Sequence, residues 1–215
     1  MLVLGIDTST PATGVAVCRV ESDPSELGTL ASDAVVDPRH SAEVLTPLVT
    51  RTLTAAGVTV RDLDAIVTGV GPGPYTSLRV GIVTAAALGD ALAVPVYGIC
   101  SLDGLTSGSG PFIAVTDARR REVYWARYEN GERILGPDVS APQAVAELIR
   151  PGEHVIGAGA ELYSSVFGDA VDQSGPRFPD PAVLVRRAIP LLGTPAAPLV
   201  PLYQRRPDAT PRTAA

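Results

Sequence analysis

The stretch 2-LVLGIDTSTPATGVAVC-18 decides the fold. Leu2 to Ile6 is an unbroken apolar run of the kind a strand buried on both faces requires, and it stops at Asp7. Ser, Thr and Pro then turn the chain, and Val15-Ala16-Val17-Cys18 returns, so the segment predicts a β-hairpin inside a sheet. The same grammar recurs in 112-FIAVTDARRREVYWARY-128, where Asp117 falls at the end of the opening strand as Asp7 does. From the strand pattern alone, an internal duplication and a chance likeness of two hairpins stand on equal footing.

Working outward, a third strand is expected between Gly28 and Val36. A helix capped by Ser41 follows, with Val44, Leu45, Leu48, Val49 and Leu53 on one stripe and Gly57 as its stop. Leu63 to Val70 reads as a strand, the turn 69-GVGPGPY-75 feeds a second helix from Thr76 to Leu92, and Val94 to Ile99 as a short strand. This order predicts an α/β sheet with helices packed on it. The Ser- and Gly-rich 101-SLDGLTSGSGP-111 marks a boundary. Beyond the second hairpin come a helix from Ala141 to Ile149 capped by Ser140, a strand at His154 to Ile156, a turn at Gly157 to Gly159, and helices near Glu161 to Phe167 and Pro181 to Leu192. The chain therefore divides into a lobe at 1–102, a lobe at 103–193 and a Pro-, Ala- and Arg-rich tail at 194–215, expected to be partly mobile.

Composition narrows the chemistry. The chain has 215 residues, 46% hydrophobic and 19% charged, which excludes disordered and fibrous classes. All 17 residues of its Lys+Arg count are arginine, which removes Schiff-base lysines, a lysine general base and the lysine of a Walker A loop. A net charge of −6 makes it a poor nucleic-acid binder acting alone. Cys18 and Cys100 have neither disulfide-framework nor zinc-knuckle spacing and read as buried thiols of a reducing compartment. The start of the chain lacks a signal-peptide pattern, and the tract from Val80 to Tyr97 is interrupted by Asp90 and Pro95, so a soluble, cytoplasmic protein without membrane contact is expected.

Few catalytic constellations survive. The two histidines, His40 and His154, are far apart, no HExxH or GxSxG is present, and His40 with Glu43 makes half a metal site at most. The turn 69–75 has a phosphate loop's glycines, but Pro72 and Pro74 lack the N–H groups that cradle phosphate. Asp7 and Asp117 remain as a pair that would face one cleft and hold magnesium-bound nucleotide, with Thr8 and Ser9 beside phosphate oxygens. The bulky Arg119-Arg120-Arg121 turn argues against it, and the site reads as degenerate or regulatory. On the second helix Ser77, Gly81, Ala85 and Gly89 form a ridge without side-chain bulk, flanked by Leu78, Ile82, Val83 and Leu88. An intermolecular helix contact and packing on the chain's own sheet account for that ridge equally well.

The segments IDTST at 6–10, 40-HSAEVLTPLV-49, 69-GVGPGPYTSLRVGI-82, 115-VTDARRREVYWARY-128 and 201-PLYQRRPDA-209 together resemble the TsaB (YeaZ-type) family, a subunit of the bacterial system that makes threonylcarbamoyladenosine in tRNA beside the anticodon. Pro74, Tyr75, Ser77 and Val80 depart mildly from the usual GPGSFTGLRIG. The resemblance implies the two-lobed α/β fold of actin, sugar kinases and chaperone ATPases (ribonuclease H-like), with a mixed sheet and flanking helices in each lobe. It also implies a non-catalytic dimerisation and activating role. The paralog TsaD carries a metal on paired histidines and transfers the threonylcarbamoyl group, a TsaE-type ATPase joins, tRNA is met only through the complex, and the isolated chain forms a homodimer. Val44, Leu45, Leu48, Val49, Ser77, Leu78, Gly81, Ile82, Ala85 and Gly89 are then the expected partner surface. No metal or cofactor is expected to bind this chain strongly, with ATP or ADP confined to the partner interface. The alternative is a small active ATPase or kinase of the same fold using Asp7 and Asp117 with magnesium; a metalloprotease fails for want of ligands.

Overall fold

The computed structural model describes residues 1–21, 27–107 and 110–204. In chain order its elements are β1 (Leu2–Asp7), β2 (Ala12–Val20), β3 (Leu27–Val36), α1 (Ser41–Ala56), β4 (Ala65–Gly69), α2 (Tyr75–Leu92) and β5 (Val96–Ile99). There follow β6 (Phe112–Asp117), β7 (Val123–Glu129), β8 (Glu132–Ser140), α3 (Pro142–Ala146), β9 (His154–Ile156), α4 (Ala158–Leu162), α5 (Ser164–Phe167) and α6 (Pro181–Ala188). No helix of the described residues is long and apolar enough to cross a membrane.

Both hairpins form where the apolar runs place them. β1 pairs antiparallel with β2 and parallel with β4, giving a sheet of order β3-β2-β1-β4-β5. β6 likewise pairs antiparallel with β7 and parallel with β9, in the order β8-β7-β6-β9. Asp7 lies opposite Gly14 and Asp117 opposite Val123, so each carboxylate sits at the same place in its hairpin.

Alternation along the strands sends side chains to two cores. Leu4, Ile6, Val15, Val17 and Ile66 face α1 and α2, meeting Leu45, Leu48, Leu53 and Ala85. Val3, Ala16, Cys18 and Val67 face the other way and are covered by Ala182, Leu184, Val185 and Ala188 of α6. The last helix thus returns from beyond the second sheet to close the first one, although its sequence lies inside the stretch read as the second lobe. Gly5 permits this return: a Cβ there would stand 2.6 Å from the Pro181 carbonyl oxygen.

Local details differ from the sequence reading in instructive ways. β8 was not expected; Asn130 and Gly131, both left-handed at φ 51° and 78°, make the two-residue hairpin turn that creates it. Ser140 consequently ends a strand instead of capping a helix, its hydroxyl accepts from the Trp125 indole N–H at 3.1 Å, and α3 stops at Ala146. His40, not Ser41, occupies the N-cap of α1, and Ser41 is buried in its first turn. The helix expected at 161–167 is split into α4 and α5, and α6 ends at Ala188 before Ile189-Pro190 continue as a 3-10 turn. The boundary region is anchored through Asp103, whose Oδ1 accepts from the Tyr128 hydroxyl at 2.7 Å and from Arg133 Nε at 2.8 Å.

The start of the expected mobile tail is docked. Tyr97 donates its hydroxyl to the Thr194 carbonyl at 2.9 Å, the Leu202 N–H donates to the Val70 carbonyl at 2.8 Å, and Leu199 and Leu202 pack on Val70, Leu78 and Ile82. Tyr203 stacks on Tyr75 with ring centroids 5.1 Å apart and accepts from Arg79 Nε at 2.7 Å. Residues 205–215 lie outside the described residues. Replacing Leu199 and Leu202 together by Ala is expected to lower the unfolding free energy by about 2–3 kcal/mol in urea melts, since each buries part of a leucine side chain; an unchanged midpoint would mean that the segment does not stabilise the fold.

Candidate functional site

The loop after β1 is sealed by the chain itself. Asp7 is 1% exposed, and its Oδ1 accepts from the Ser9 N–H at 2.9 Å and the Ser9 hydroxyl at 2.7 Å. Its Oδ2 lies beside the Ser101 hydroxyl without a well-formed hydrogen bond. Thr8 Oγ1 donates to the Ser77 carbonyl at 2.7 Å and accepts from the Gly81 N–H at 3.1 Å, tying the loop to the first turns of α2. The glycine-rich turn closes over it, because Gly73 sits so near the Ser9 backbone that a Cβ would be 2.3 Å from the Ser9 carbonyl oxygen. Burial raises the Asp7 pKa above its ordinary 3.8, opposed by the nearby Ser101 hydroxyl and by the hydrogen bonds from Ser9.

Asp117 has a different setting. It lines an interlobe cavity of about 400 Å³, its Oδ1 accepts from the Arg119 N–H at 2.8 Å, and the Arg119 guanidinium lies 3.5 Å from Oδ2. Arg119, Arg120 and Arg121 are all left-handed, with φ of 62°, 54° and 61°, a strained turn that non-glycine residues adopt rarely. Thr10 and Pro11 reach the same cavity, whereas Asp7, Thr8 and Ser9 do not line it. The two carboxylates are therefore not joined in one open site: the Asp7 carboxylate is closed in by Gly69, where a Cβ would collide with its Oδ2, and by the Ser101 hydroxyl. This corrects the expected grouping of Asp7, Thr8, Ser9 and Asp117, and its physical cause is the close approach of Gly69 and Ser101 to the Asp7 carboxylate together with the seat of α2 on Thr8.

That seat also settles the small-residue ridge. Gly81 meets Thr8, a Cβ on Gly89 would stand 2.2 Å from Val96 Cγ2, and Ala85, Leu78 and Ile82 are buried in the chain's own cores. Leu45, Leu48 and Val49 of α1 are buried on the sheet, with Val44 and Ser77 half-buried. The side chains expected to face a partner are thus occupied internally. The faces left open lie on the opposite side of the same helices: Thr46, Thr50 and Thr54 on α1, and Thr76, Val83, Ala87 and Ala91 on α2, with Val83 63% exposed. Both helices touch, and the same exposed faces also carry Glu43 on α1 and Arg79 and Asp90 on α2 at helical spacing from these residues. The sequence held the signal, since one helix periodicity defines two faces, but spacing does not say which face meets the sheet.

His40 is exposed at the start of α1, with Nδ1 2.9 Å from Asp37 Oδ2, and the Asp37 hydrogen bond and charge raise its pKa above the ordinary imidazole value. Among the described residues no group of three or more His, Cys, Asp and Glu stands together as a metal-ligand set. Cys18 and Cys100 are free and buried, with burial pushing their thiols up to about 11 and about 12.

Two sheets with the same strand pattern, flanking helices and a cleft between them define an actin-like, ribonuclease H-like α/β protein. The sequence model of the family described as "TsaD: tRNA N6-adenosine threonylcarbamoyltransferase" matches residues 35–179. The tRNA threonylcarbamoyladenosine biosynthesis protein TsaB of Escherichia coli is 31% identical, over 89% of this chain and 84% of its own. An uncharacterized protein of Mycobacterium tuberculosis is 48% identical, over 97% of this chain and 94% of its own. A crystal structure from Pseudomonas aeruginosa, described as an uncharacterized protein with similarity to peptidase YEAZ, superposes with a TM-score of 0.72 at 28% identity, covering 93% of this chain and 99% of that one. The chain belongs to the tRNA N6-adenosine threonylcarbamoyltransferase family and within it is a TsaB-type protein.

Two substitutions test the sealed loop. Asp7→Asn is expected to stabilise the protein at pH 7 by about 1–3 kcal/mol, the range for relieving an unsatisfied buried acceptor. Because the folded pKa is raised, the destabilisation by Asp7 grows as pH rises from 3.8 through the raised value and vanishes below 3.8, so the advantage of Asn over Asp shrinks in melts at acidic pH. Gly81→Ala is expected to cost about 1–3 kcal/mol, because its Cβ would stand 2.5 Å from Thr8 Oγ1; an outward-facing position 81 would show no loss.

Proposed function

We propose that this chain is the non-catalytic dimerisation and activating subunit for a TsaD-type transferase that modifies tRNA adenosine beside the anticodon. The observation that carries the reading is the outward strip of small side chains on α1 and α2, where exposed Val83 and the neighbouring Thr and Ala side chains leave room for another helix pair to approach closely. Family membership supports it, since the Escherichia coli relative is named for threonylcarbamoyladenosine biosynthesis. A tRNA N6-adenosine threonylcarbamoyltransferase of Nitrosospira multiformis is 40% identical over 116 residues, 48% of this chain. A paralog sharing that much of the fold can present an equivalent helix pair, giving a pseudo-symmetric heterodimer, and a second copy of this chain gives the homodimer of the isolated protein. A TsaE-like ATPase then joins the pair in the cytoplasm, and tRNA is contacted through the complex. ATP or ADP, where bound, sits at the partner interface.

The kinase-like alternative draws no support from the geometry of Asp7, whose buried carboxylate is closed in by Gly69 and Ser101. The discriminating experiment is Val83→Arg with Ala87→Arg. Both positions are exposed, so the melting temperature is expected to hold within the effect of an ordinary surface substitution. Co-purification with the TsaD-type protein and reconstituted tRNA modification are expected to fall about tenfold or more, because two charges would be buried unpaired. Undiminished binding by the folded double variant would refute the assignment of this face.

A further inference from the structure

The exposed face of α2 has an order in its charges that the helix-face reading leaves unused. Arg79, Val83, Ala86 and Asp90 follow one another at steps of four, three and four residues, so they lie along one line of the helix. Arg79, Val83 and Asp90 are exposed and Ala86 is half-buried. The line runs from a cation to an anion about 16 Å further along the axis, with an uncharged centre between them.

Neither charge is neutralised within the chain: among the described residues Arg79 and Asp90 take part in no ion pair. Arg79 is nevertheless held in place, with its guanidinium 4.0 Å over the Tyr75 ring and its Nε donating to the Tyr203 hydroxyl at 2.7 Å. A guanidinium fixed in this way loses little freedom when a carboxylate approaches its remaining N–H groups. The line is also complementary to itself. If a second α2 lies antiparallel to the first, with a two-fold axis between Val83 and Ala86, Arg79 falls opposite the partner's Asp90 at both ends and Val83 falls opposite the partner's Ala86. A parallel pairing sets Arg79 against Arg79 and Asp90 against Asp90, and like charges oppose it.

We infer that α2 pairs with α2 of a second copy in this antiparallel register, and that Arg79 and Asp90 are the residues that select it. The inference rests on the helix-face reading and adds to it the orientation of the contact and the side chains that choose the partner. A different chain takes the same seat only if its helix presents a carboxylate to Arg79 and a cation to Asp90.

Analytical ultracentrifugation of the full chain tests it by exchanging charges between copies. Arg79→Asp alone and Asp90→Arg alone each set like charges face to face twice in a homodimer, and each is expected to weaken self-association about tenfold or more. In an equimolar mixture of the two variants every facing pair is again of opposite sign, so a mixed dimer close to wild-type affinity is expected. The inference is overturned if the wild type stays monomeric at every concentration reached, if either folded variant self-associates undiminished, or if the mixture associates no better than its components. Val83→Arg with Ala87→Arg separates this register from the face itself. If that variant no longer self-associates and the mixture still fails, the register is wrong and the face stands; if it self-associates undiminished, the face is wrong as well. Should Arg79→Asp fail to fold on losing its tyrosine contacts, Asp90→Arg alone decides.

Discussion

The hydroxyl of Thr8 holds the first lobe in its particular form. By donating to the Ser77 carbonyl and accepting from the Gly81 N–H, it locks the loop of the first hairpin to the N-terminal turns of α2. Helix N-termini have unsatisfied N–H groups and attract anions, and a loop bearing a carboxylate and hydroxyls is the other half of many phosphate sites. Here the two halves are fastened to each other. Gly81 and Gly73 lack side chains where helix and turn meet Thr8 and Ser9, and Gly69 lacks one where β4 meets the Asp7 carboxylate, which stays inside the protein.

Several other features follow from that closure. With its ridge pressed on the hairpin and on Val96, α2 turns its remaining small and apolar residues outward, alongside the threonines of α1. The 69–75 turn becomes a roof for Ser9 and, through Pro74, a wall of the interlobe cavity. Just beyond the turn, Tyr75 and Arg79 receive Tyr203, which pins the segment returning from the second lobe. The opposite face of the sheet is closed by α6, so the first lobe is completed only when the chain beyond the second sheet has come back to it.

The sequence was legible where a local pattern determines its own burial. The runs Leu2–Asp7 and Phe112–Asp117 are strands because nothing but a two-sided core accommodates them, and their equivalent carboxylates follow from the hairpin register. The Asn130-Gly131 turn was equally local, and β8 could have been read from it. Orientation and cover were not local. The spacing of Ser77, Gly81, Ala85 and Gly89 marks a close contact without naming the body it meets. Nothing near Asp7 in sequence shows that Gly69 and Ser101 will close on its carboxylate. The prolines around 195–201 read as a mobile tail, and the anchoring leucines and Tyr203 take their meaning from Val70, Leu78 and Tyr75, far away in sequence.

Charge gives the open helix strip its sense of direction. Two copies of a chain with a net charge of −6 repel one another across a contact, and the exposed charges on the strip itself, Glu43, Arg79 and Asp90, are of mixed sign. Screening at physiological salt acts over roughly 8 Å, so this repulsion is felt by side chains close around the interface and falls away beyond them. A partner of opposite or smaller charge meets the same apolar area without that opposition. Across such a face the small side chains set how closely another helix can approach, and the surrounding charge sets which partners are accepted.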